Sequence, residues 1–402
     1  MNIFYKIYCR IYQKIVYLAS YLLNFDEPEI ITGENCLLKL PKKIKELKIT
    51  TVLIVTDEVL YNLGLLDGLF AALEKEGIKY SCYNKTVPNP TIDNIEEAYA
   101  QYKEASCQAL IAFGGGSPMD CAKGVGARVV NPKKSIPQMK GLLKVGRKLP
   151  ILFAVPTTAG TGSEATLAAV VTNSKTKEKY AINDPHLIPD YAVLDPLLTV
   201  KLPAFVTATT GMDALTHAVE AFIGHSNTSK TKKMAIEATK LIFANIKVAY
   251  DEPDNIEARN NMQIAAYKAG VAFTRAYVGY VHAIAHTFGG FYHTAHGHAN
   301  AVILPYVLDY YGSSVWKSLA ILAREIGLDG ASDEELANKF IKSIREYNEY
   351  MKIPKYLEPY KDEDLETMVD RALAEGNPLY PVPKLMGRDE MRTMYKIVTN
   401  KK

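Results

Sequence analysis

The chain has 402 residues, of which 48% are hydrophobic and 23% are charged, and its formal net charge is +3. A chain of this length usually divides into more than one hydrophobic core, so we expect two domains. The small net charge argues against a nucleic-acid partner. The five cysteines form no CxxC pair, which argues against a disulfide framework or a zinc knot and favours the reducing cytoplasm.

The segment 1–25 is apolar and aromatic, and its tyrosines are interleaved with Lys6, Arg10 and Lys14. Lys14 would interrupt the apolar core of a signal peptide, and no run of about 18 apolar residues lacks charges, so neither a signal peptide nor a transmembrane helix is expected. The pattern predicts an amphipathic helix that packs on its own fold, on a neighbouring subunit or at a membrane surface. We therefore treat residues 1–29 as a helical extension.

Between residues 50 and 200, short apolar runs alternate with amphipathic segments. Runs that are apolar throughout predict parallel strands covered on both faces, and the alternation predicts a Rossmann-like α/β domain over residues 30–203. Two more polar runs around Ser174 predict a β-hairpin at 168–173 and 178–183. The predicted strands are 51–55, 78–83, 109–113, 151–155 and 192–194, and the predicted helices are 58–75, 91–105 and 118–130.

Two loops rich in glycine and hydroxyl groups directly follow two of these strands. The first is the Gly114–Ser117 stretch, whose residues without Cβ atoms let backbone amides approach a pyrophosphate; Ser117 is the predicted N-cap of the next helix. The second spans residues 156–164 and carries four hydroxyl groups. Because ligands of open α/β sheets bind beyond the carboxyl ends of the strands, the two loops predict one phosphate-binding crevice.

Asp57 stands just after the first predicted strand. Its carboxylate could accept hydrogen bonds from a ribose and repel a 2′-phosphate, which favours NAD over NADP. The alternative is that Asp57 only caps the helix that starts near Val59.

After Pro203 the strand signals nearly vanish and long helical patterns follow, so residues 204–402 are predicted to form an all-α domain. Gly270 and Pro305 are expected to punctuate these helices. Asp213 and His217 stand four residues apart, which places both on one face of a helix.

Histidines are concentrated in this half of the chain. His282 and His286 repeat the spacing of four, and six of the eight histidines fall at position 217 or within 282–298. Solvated histidines would be scattered, whereas these lie in an apolar, glycine-rich context. The cluster predicts a metal site, and carboxylate and imidazole ligands suit either Fe²⁺ or Zn²⁺.

Four ordered motifs carry a resemblance to a known family. They are GGGSPMDCAK (114–123), PTTAGTGSE (156–164), GMDALTHAVE (211–220) and GYVHAIAHTFGGFYHTAHGHANAVILP (279–305). The chain resembles the iron-containing, or group III, alcohol dehydrogenases over roughly residues 30 to 385. The resemblance implies a dinucleotide-binding α/β domain, a helical metal-binding domain and an active site in the cleft between them. It also implies NAD(P)-linked interconversion of primary alcohols or diols with aldehydes, and a homodimer.

The resemblance also implies roles for individual residues. The metal ligands would be Asp213, His217, His282 and His296. His286 would lie near the nicotinamide and hydrogen-bond or relay the proton of the reacting oxygen, unless it is only structural. The implied cofactor contacts are Asp57, Asn89, Gly115, Gly116, Ser117, Asp120, Thr157, Thr158, Thr161 and Lys179, of which Asp120 lies at the nicotinamide end and is a second catalytic candidate.

Three residues depart from the family pattern. Ala295 stands where a proline is common, His298 replaces a usual aliphatic residue, and His293 is an additional histidine. The two histidines could tune the site or offer an adventitious ligand, or they are local substitutions.

Two other functions stay open at the level of the sequence. One is an NAD-using lyase of the dehydroquinate-synthase type, which needs a basic pocket; only Arg275 stands beside the metal motifs. The other is a catalytically silent oligomeric scaffold, against which the intact ligand set argues.

Overall fold

The computed structural model describes residues 1–23, 25–176 and 178–401. The chain divides into two compact units, one formed by Asn24–Lys201 and the other by Met1–Leu23 together with Leu202–Lys402. We call them the α/β unit and the helical unit. The N-terminal helix therefore belongs to the helical unit, although it precedes the α/β unit in the chain. The domain boundaries that we placed at residues 29 and 203 remain predictions.

A six-stranded parallel sheet forms the centre of the α/β unit. Its strands are β1 (Glu29–Thr32), β2 (Thr51–Val55), β3 (Lys79–Tyr83), β4 (Ala109–Gly114), β6 (Leu152–Pro156) and β9 (Tyr191–Leu194). The spatial order is β1-β9-β6-β4-β2-β3. Leu53 and Val55 join one buried apolar cluster, and Val52 and Ile54 join a second. Both faces of the sheet are therefore covered, which is why the central strands are apolar at every position.

The remaining elements of the α/β unit cover this sheet or extend it. The helices are α2 (Leu40–Glu46), α3 (Glu58–Asn62), α4 (Asp67–Lys75), α5 (Ile92–Glu104) and α6 (Gly116–Val130). The predicted helix 58–75 is two helices, because Gly64 between them adopts a φ of +69°. The predicted hairpin is confirmed: β7 (Ala168–Thr172) pairs antiparallel with β8 (Lys179–Asn183), and the short β5 (Gly141–Leu142) pairs with β8 in parallel.

The helical unit contains no strand among its described residues. Its helices are α1 (Ile3–Ser20), α7 (Ala204–Ile223), α8 (Ser229–Asp251), α9 (Ile256–Ala276), α10 (Tyr280–Tyr292), α11 (His296–Tyr311), α12 (Trp316–Glu325), α13 (Asp333–Tyr350), α14 (Leu365–Gly376) and α15 (Arg388–Val398). The predicted α/β half and helical half are thus confirmed. The helix α15 carries no sequence signal that we recognised.

Gly270 and Pro305, which were expected to punctuate the helices, lie inside α9 and α11 and end neither of them. Proline lacks the N–H that would bond the carbonyl four residues earlier, here that of Ala301. The Asn348 side chain donates to the Ala301 carbonyl oxygen at 2.7 Å and supplies the missing hydrogen bond. A tertiary contact thus offsets the local cost of the proline.

Helix α1 packs on the helical unit through polar contacts. Arg10 donates to the carbonyl oxygens of Val382 and Pro383 at 2.6 and 2.9 Å, and Gln13 donates to that of Tyr380 at 2.7 Å. The segment therefore packs on its own fold, which is one of the three environments predicted for it. No helix in the described part of the chain is long and apolar enough to cross a membrane.

Candidate functional site

Three helices of the helical unit bring the four predicted metal ligands together. Asp213 and His217 lie on α7, His282 lies on α10, and His296 is the first residue of α11. One ligand atom from each residue lies within 4.8 Å of the others. The first three residues are buried, whereas His296 is partly exposed, so a substrate can reach the cluster on that side.

The side-chain amide of Asn300 identifies the point on which the ligand atoms converge. Its nitrogen lies 2.6 Å from Asp213 Oδ1, 3.2 Å from His282 Nε2 and 3.1 Å from His296 Nε2. Among the described residues, the buried Oδ1 of Asn300 has no hydrogen-bond partner. Three acceptors that face one electropositive N–H can equally face a cation, so the residues present fit a divalent metal ion.

Glu220 fixes the orientation of the His282 ring. Its carboxylate lies 2.6 Å from His282 Nδ1 and accepts hydrogen bonds from the backbone of Gly279 at 2.8 Å and Val281 at 2.9 Å. The carboxylate accepts a hydrogen bond from Nδ1–H, which keeps the proton on Nδ1 and leaves the lone pair of Nε2 for a metal. The start of α10 is held by the same carboxylate.

Burial controls the protonation of this cluster. It lowers the pKa of His282 well below the usual value for histidine, and the neighbouring His217 adds to the effect. Burial also raises the pKa of Asp213, while His217 and the hydrogen bond from Asn300 lower it. A ligand imidazole must be neutral, so the lowered pKa of His282 prepares it for metal binding at neutral pH.

The backbone of α11 approaches α7 at Gly297. A Cβ atom at this position would lie 2.5 Å from the Thr209 carbonyl oxygen and 3.3 Å from the Cβ atom of Asp213. Only glycine therefore allows the first turn of α11 to bring His296 next to Asp213.

His286 lies beside the cluster in a second carboxylate network. Its Nδ1 is 2.6 Å from Glu375 Oε1, which also accepts the hydroxyl hydrogen of Tyr380 at 2.7 Å. Its ring stacks on that of His296 with centroids 5.2 Å apart. Because Glu375 occupies Nδ1, Nε2 is the nitrogen that remains for exchange of a proton.

The three departures from the family pattern do not enlarge the ligand set. Ala295 has a φ of −58°, close to the value that a proline would impose, so the turn into α11 is kept. His293 is exposed and ends α10 with a φ of +55°. The His298 ring meets Phe205 edge-on at 5.6 Å. Neither histidine belongs to the described cluster, and their effects on the site stay predictions.

In the α/β unit, the two glycine- and hydroxyl-rich loops are in contact. Gly114 pairs with Pro156, so the loops leave neighbouring strands at the same edge of the sheet. A Cβ atom on Gly115 would lie 3.6 Å from Thr158 Oγ1, and one on Gly116 would lie 3.2 Å from Thr161 Cγ2. The two loops therefore lie together at the N-terminus of α6, and the phosphate-binding crevice expected there stays a prediction.

Ser117 is not the N-cap of α6, contrary to the sequence-based expectation. The helix begins one residue earlier, at Gly116, with Gly115 as its N-cap. The hydroxyl oxygen of Ser117 instead accepts the N–H of Asn89 at 3.1 Å, and Lys179 donates to Asn89 Oδ1 at 2.6 Å. These three predicted cofactor residues therefore lie together.

The two predicted acidic cofactor residues both make structural contacts. Asp57 caps α3 by accepting the N–H of Leu60 at 2.9 Å, and a carboxylate has further acceptor sites that could serve a ribose. Asp120 accepts the hydroxyl of Ser163 and the N–H of Val170, each at 3.1 Å. Burial raises the pKa of Asp120, and the nearby Lys123 lowers it. The catalytic role of Asp120 stays a prediction.

Lys123 supports the second loop and was not singled out from the sequence. Its fully buried ammonium group donates to the carbonyl oxygens of Ser163 at 2.8 Å and of Thr166 and Ala168 at 2.9 Å. Burial lowers the pKa of Lys123 to about 8. The contacts fasten the end of the second loop to α6, and thereby set the position of the threonines of that loop.

One sequence signal could have revealed the missed residues. Lys123 and Glu220 are charged residues flanked by apolar residues in mostly apolar helices, and such charges are buried only when they are paired or hydrogen-bonded. Glu375 offers no comparable signal, since it stands 89 residues from His286 in an ordinary amphipathic helix.

Comparison with known proteins assigns the family. The profile described as "Iron-containing alcohol dehydrogenase" matches residues 27–196, and the profile of the C-terminal domain of the same family matches residues 207–399. The chain belongs to the iron-containing alcohol dehydrogenase family. Both matches leave out the first 26 residues.

Individual relatives of this family cover nearly the whole chain. The 1,3-propanediol dehydrogenase of Klebsiella pneumoniae is 36% identical over 93% of this chain and 96% of its own length. The NAD-dependent methanol dehydrogenase of Bacillus methanolicus is 35% identical over 87% and 93% of the two chains. The solved structure of an alcohol dehydrogenase from Oenococcus oeni superposes with a TM-score of 0.90 at 35% identity, over 93% and 99% of the two chains.

The family assignment confirms the predicted class of enzyme. The protein is an NAD(P)-dependent alcohol dehydrogenase, and its Asp–His cluster is consistent with the iron ion of the family. The lyase and scaffold alternatives are not favoured.

Gly297→Ala should damage the metal centre without changing any ligand. The added Cβ cannot fit against the Thr209 carbonyl, so α11 must move away from α7, at a cost of about 1–3 kcal/mol. We expect a clear loss of bound metal in purified protein, measured by elemental analysis. Gly290→Ala is the matched control, because a Cβ there meets no atom within 4 Å. Equal metal content in both variants would contradict the packing argument.

Lys123→Met should weaken cofactor binding. The substitution leaves three buried carbonyl oxygens without their donor, which costs about 1–3 kcal/mol for each oxygen that stays unsatisfied. The dissociation constant for NAD, measured by calorimetry, should rise about tenfold or more, in line with that range. Metal content should stay unchanged. The exposed Lys133→Met serves as the control, and an unaltered NAD affinity of Lys123→Met would refute the assigned role.

Proposed function

We propose that this enzyme transfers hydride between NAD and a small primary alcohol or diol, at an iron ion held by Asp213, His217, His282 and His296. The observation that carries the proposal is the approach of four ligand atoms to within 4.8 Å of one another. Such a set of one carboxylate and three imidazoles leaves room for a further oxygen ligand. The bound ion would act as a Lewis acid that lowers the pKa of an alcohol hydroxyl.

The surrounding residues prepare and hold this site. Glu220 keeps the Nδ1 proton of His282 and directs Nε2 to the ion. The contact at Gly297 keeps His296 next to Asp213. None of these groups has to change its bonding during turnover, so the site is ready before the substrate arrives.

We assign the transfer of the alcohol's hydroxyl proton to His286. Oxidation of a primary alcohol releases a hydride to the nicotinamide and a proton from the hydroxyl. The Glu375 carboxylate, itself held by the Tyr380 hydroxyl, orients the His286 ring through Nδ1. The free Nε2 can then take the hydroxyl proton during oxidation and return it during aldehyde reduction.

The crevice of the α/β unit is the proposed cofactor site. Backbone amides around Gly115 and Gly116 would bind the pyrophosphate at the N-terminus of α6. Thr157, Thr158 and Thr161, with Ser117, Asn89 and Lys179, would complete the contacts. The carboxylate of Asp57 after β2 supports NAD over NADP, because it would repel a 2′-phosphate.

We propose the metal, the substrate class, the cellular location and the oligomeric state from the family, its relatives and the cysteines. The description of the family supports Fe²⁺ over Zn²⁺, which has the same ligand preferences. Relatives named as propanediol and methanol dehydrogenases support short alcohols and diols as substrates. The five cysteines are free, which supports a cytoplasmic enzyme. A homodimer is proposed from the resemblance to the family.

His282→Ala should abolish metal binding and turnover but leave NAD binding intact. The substitution removes the ligand that Glu220 orients, whereas the cofactor loops lie in the other unit. We would measure iron and zinc in protein purified without oxygen, together with NAD-linked oxidation of 1,3-propanediol and methanol. His293→Ala is the control and should keep its metal. Full metal content in His282→Ala would contradict the proposed ligand set.

His286→Ala should retain metal but slow turnover by about a hundredfold or more, which is the usual cost of losing a general acid–base group. The pH dependence of kcat should lose the limb that reports this histidine. Glu375→Gln should have a smaller effect of the same kind, because the ring loses its orienting carboxylate. An unchanged pH profile in His286→Ala would refute the proton role but leave the metal assignment untouched.

Asp57→Ala should relax the discrimination between the two cofactors. Removal of the carboxylate removes the repulsion of a 2′-phosphate, so kcat/KM for NADP should rise relative to that for NAD. Loss of the α3 cap lowers stability by about 1 kcal/mol. Asp57→Asn keeps a capping side chain without its charge and should show the same relaxation with a smaller loss of stability. An unchanged cofactor ratio in both variants would refute the assignment.

A further inference from the structure

The outward face of α1 is apolar along its entire length. It is formed by Phe4, Ile7, Ile11, Ile15 and Leu18, all exposed, and it continues into Leu22 just past the end of the helix. The exposed fraction is 76% at Phe4 and 88% at Leu22. These residues follow one another at intervals of three and four, which places them in one straight stripe. We call this set the apolar stripe.

The side of α1 that faces the protein is the more polar one. Its buried residues are Cys9, Gln13 and Ser20. Arg10 and Gln13 fasten the helix to three backbone carbonyls of the segment Tyr380–Pro383. A surface helix ordinarily buries its apolar side, so the polar attachment of α1 directs the apolar stripe away from the protein.

The charges and aromatic residues around the stripe are those of an interfacial helix. The segment 1–25 contains no acidic residue, and Lys14 is exposed beside the stripe by its helical position. Tyr8 borders the stripe on one side and Tyr21 on the other, by their helical positions. Aromatic hydroxyls and a lysine beside an apolar stripe suit the headgroup region of an anionic bilayer.

A cavity of about 470 Å³ adjoins the C-terminal end of α1. Its lining residues are Tyr17, Tyr21, Asn227, Thr228, Ser229, Lys230, Lys232 and Arg275. The guanidinium group of Arg275 lies over the Tyr21 ring at 4.5 Å, so a cation of the cavity contacts the border of the stripe directly. The N-terminus of α8, which Thr228 caps, adds the partial positive charge of the helix dipole.

We propose that the apolar stripe and this basic cavity together form a docking surface for an anionic phospholipid bilayer. The stripe would enter the boundary between headgroups and acyl chains, and the cavity would receive a lipid phosphate. Basic charge and an apolar helix face are the two signals that together give stable peripheral binding. The enzyme would then act next to a membrane without crossing it.

A second copy of the chain is a poorer partner for the same face. The 18 residues of α1 extend over about 27 Å, and a single helix face of that length buries less than the roughly 800 Å² per partner of a stable interface. The segment carries Lys6, Arg10 and Lys14 but no acidic residue, so two copies paired through this helix would bring like charges together without a balancing charge. A negatively charged surface satisfies the lysines directly.

Vesicle co-sedimentation of the full-length, metal-loaded enzyme tests the proposal. We expect the enzyme to pellet with vesicles of phosphatidylglycerol and phosphatidylcholine in equal amounts, and at least tenfold less with phosphatidylcholine alone. Added NaCl should release it. Ile11→Glu and Ile15→Glu should each lower the bound fraction about tenfold. Ile397→Glu is the matched control, because it changes an exposed isoleucine of another helix in the same unit.

The basic groups are tested separately. Lys14→Glu and Lys232→Glu should weaken binding to the anionic vesicles, whereas Lys317→Glu, at an exposed lysine of α12, should not. Activity on a soluble alcohol should be the same in all of these variants. Failure of the wild-type enzyme to pellet, or equal binding by Ile11→Glu, would overturn the proposal.

Two further results would assign the surface to another ligand. If inorganic phosphate raised the melting temperature through Lys232 while vesicles bound nothing, the cavity would be a site for free anions and the membrane proposal would be wrong. If Ile11→Glu reduced the mass of the particle in sedimentation velocity and vesicles bound nothing, the apolar stripe would be an interface between copies, and the proposal would again be wrong.

Discussion

The helical unit depends on one electrostatic constraint: several electron-rich atoms face a single buried point. Asp213 Oδ1, His282 Nε2 and His296 Nε2 all lie within 3.2 Å of the Asn300 amide nitrogen. Acceptors brought together away from water require positive charge between them, from an N–H group or from a metal ion. The chain concentrates this requirement where three helices meet, and the lack of a side chain at Gly297 permits their close approach.

In each unit, one buried charged side chain holds the backbone of its functional region in place. Glu220 does not join the ligand atoms but holds both the His282 ring and the first backbone amides of α10, so one carboxylate positions a ligand and the helix that carries it. Lys123 has the equivalent task in the α/β unit, where one ammonium group gathers carbonyl oxygens of the loop before β7. In both units a single buried ion organises backbone that would otherwise have to satisfy its polar groups elsewhere.

The sequence predicted those features that depend on local periodicity. The strand Thr51–Val55 and the hairpin around Ser174 were found because burial on two faces or on one face leaves distinct residue patterns. It did not predict β1, whose four residues are mostly exposed, nor the contact that compensates for Pro305 within α11. The latter depends on Asn348, a residue 47 positions away from the carbonyl that it satisfies, and no local pattern reports such a contact.

The same limit applies to the site. Spacing along helices indicated the pairs Asp213–His217 and His282–His286, and the resemblance to the family separated ligand from neighbour. The histidine partners of Glu220 and Glu375 could not be assigned in advance, because each carboxylate meets its histidine only through tertiary packing, 62 and 89 residues away. Ser117 was misread as a helix cap because the competing donor, the N–H of Asn89, is 28 residues distant.

The attachment of α1 has a practical consequence for work with this protein. Gln13 bonds the carbonyl of Tyr380, and the hydroxyl of the same tyrosine bonds the Glu375 carboxylate that orients His286. A short covalent and hydrogen-bonded path thus runs from the first helix to the proposed proton carrier. Removal of residues 1–20 would delete the Gln13 contact at the start of this path, whereas a purification tag at the opposite end of the chain leaves that contact intact.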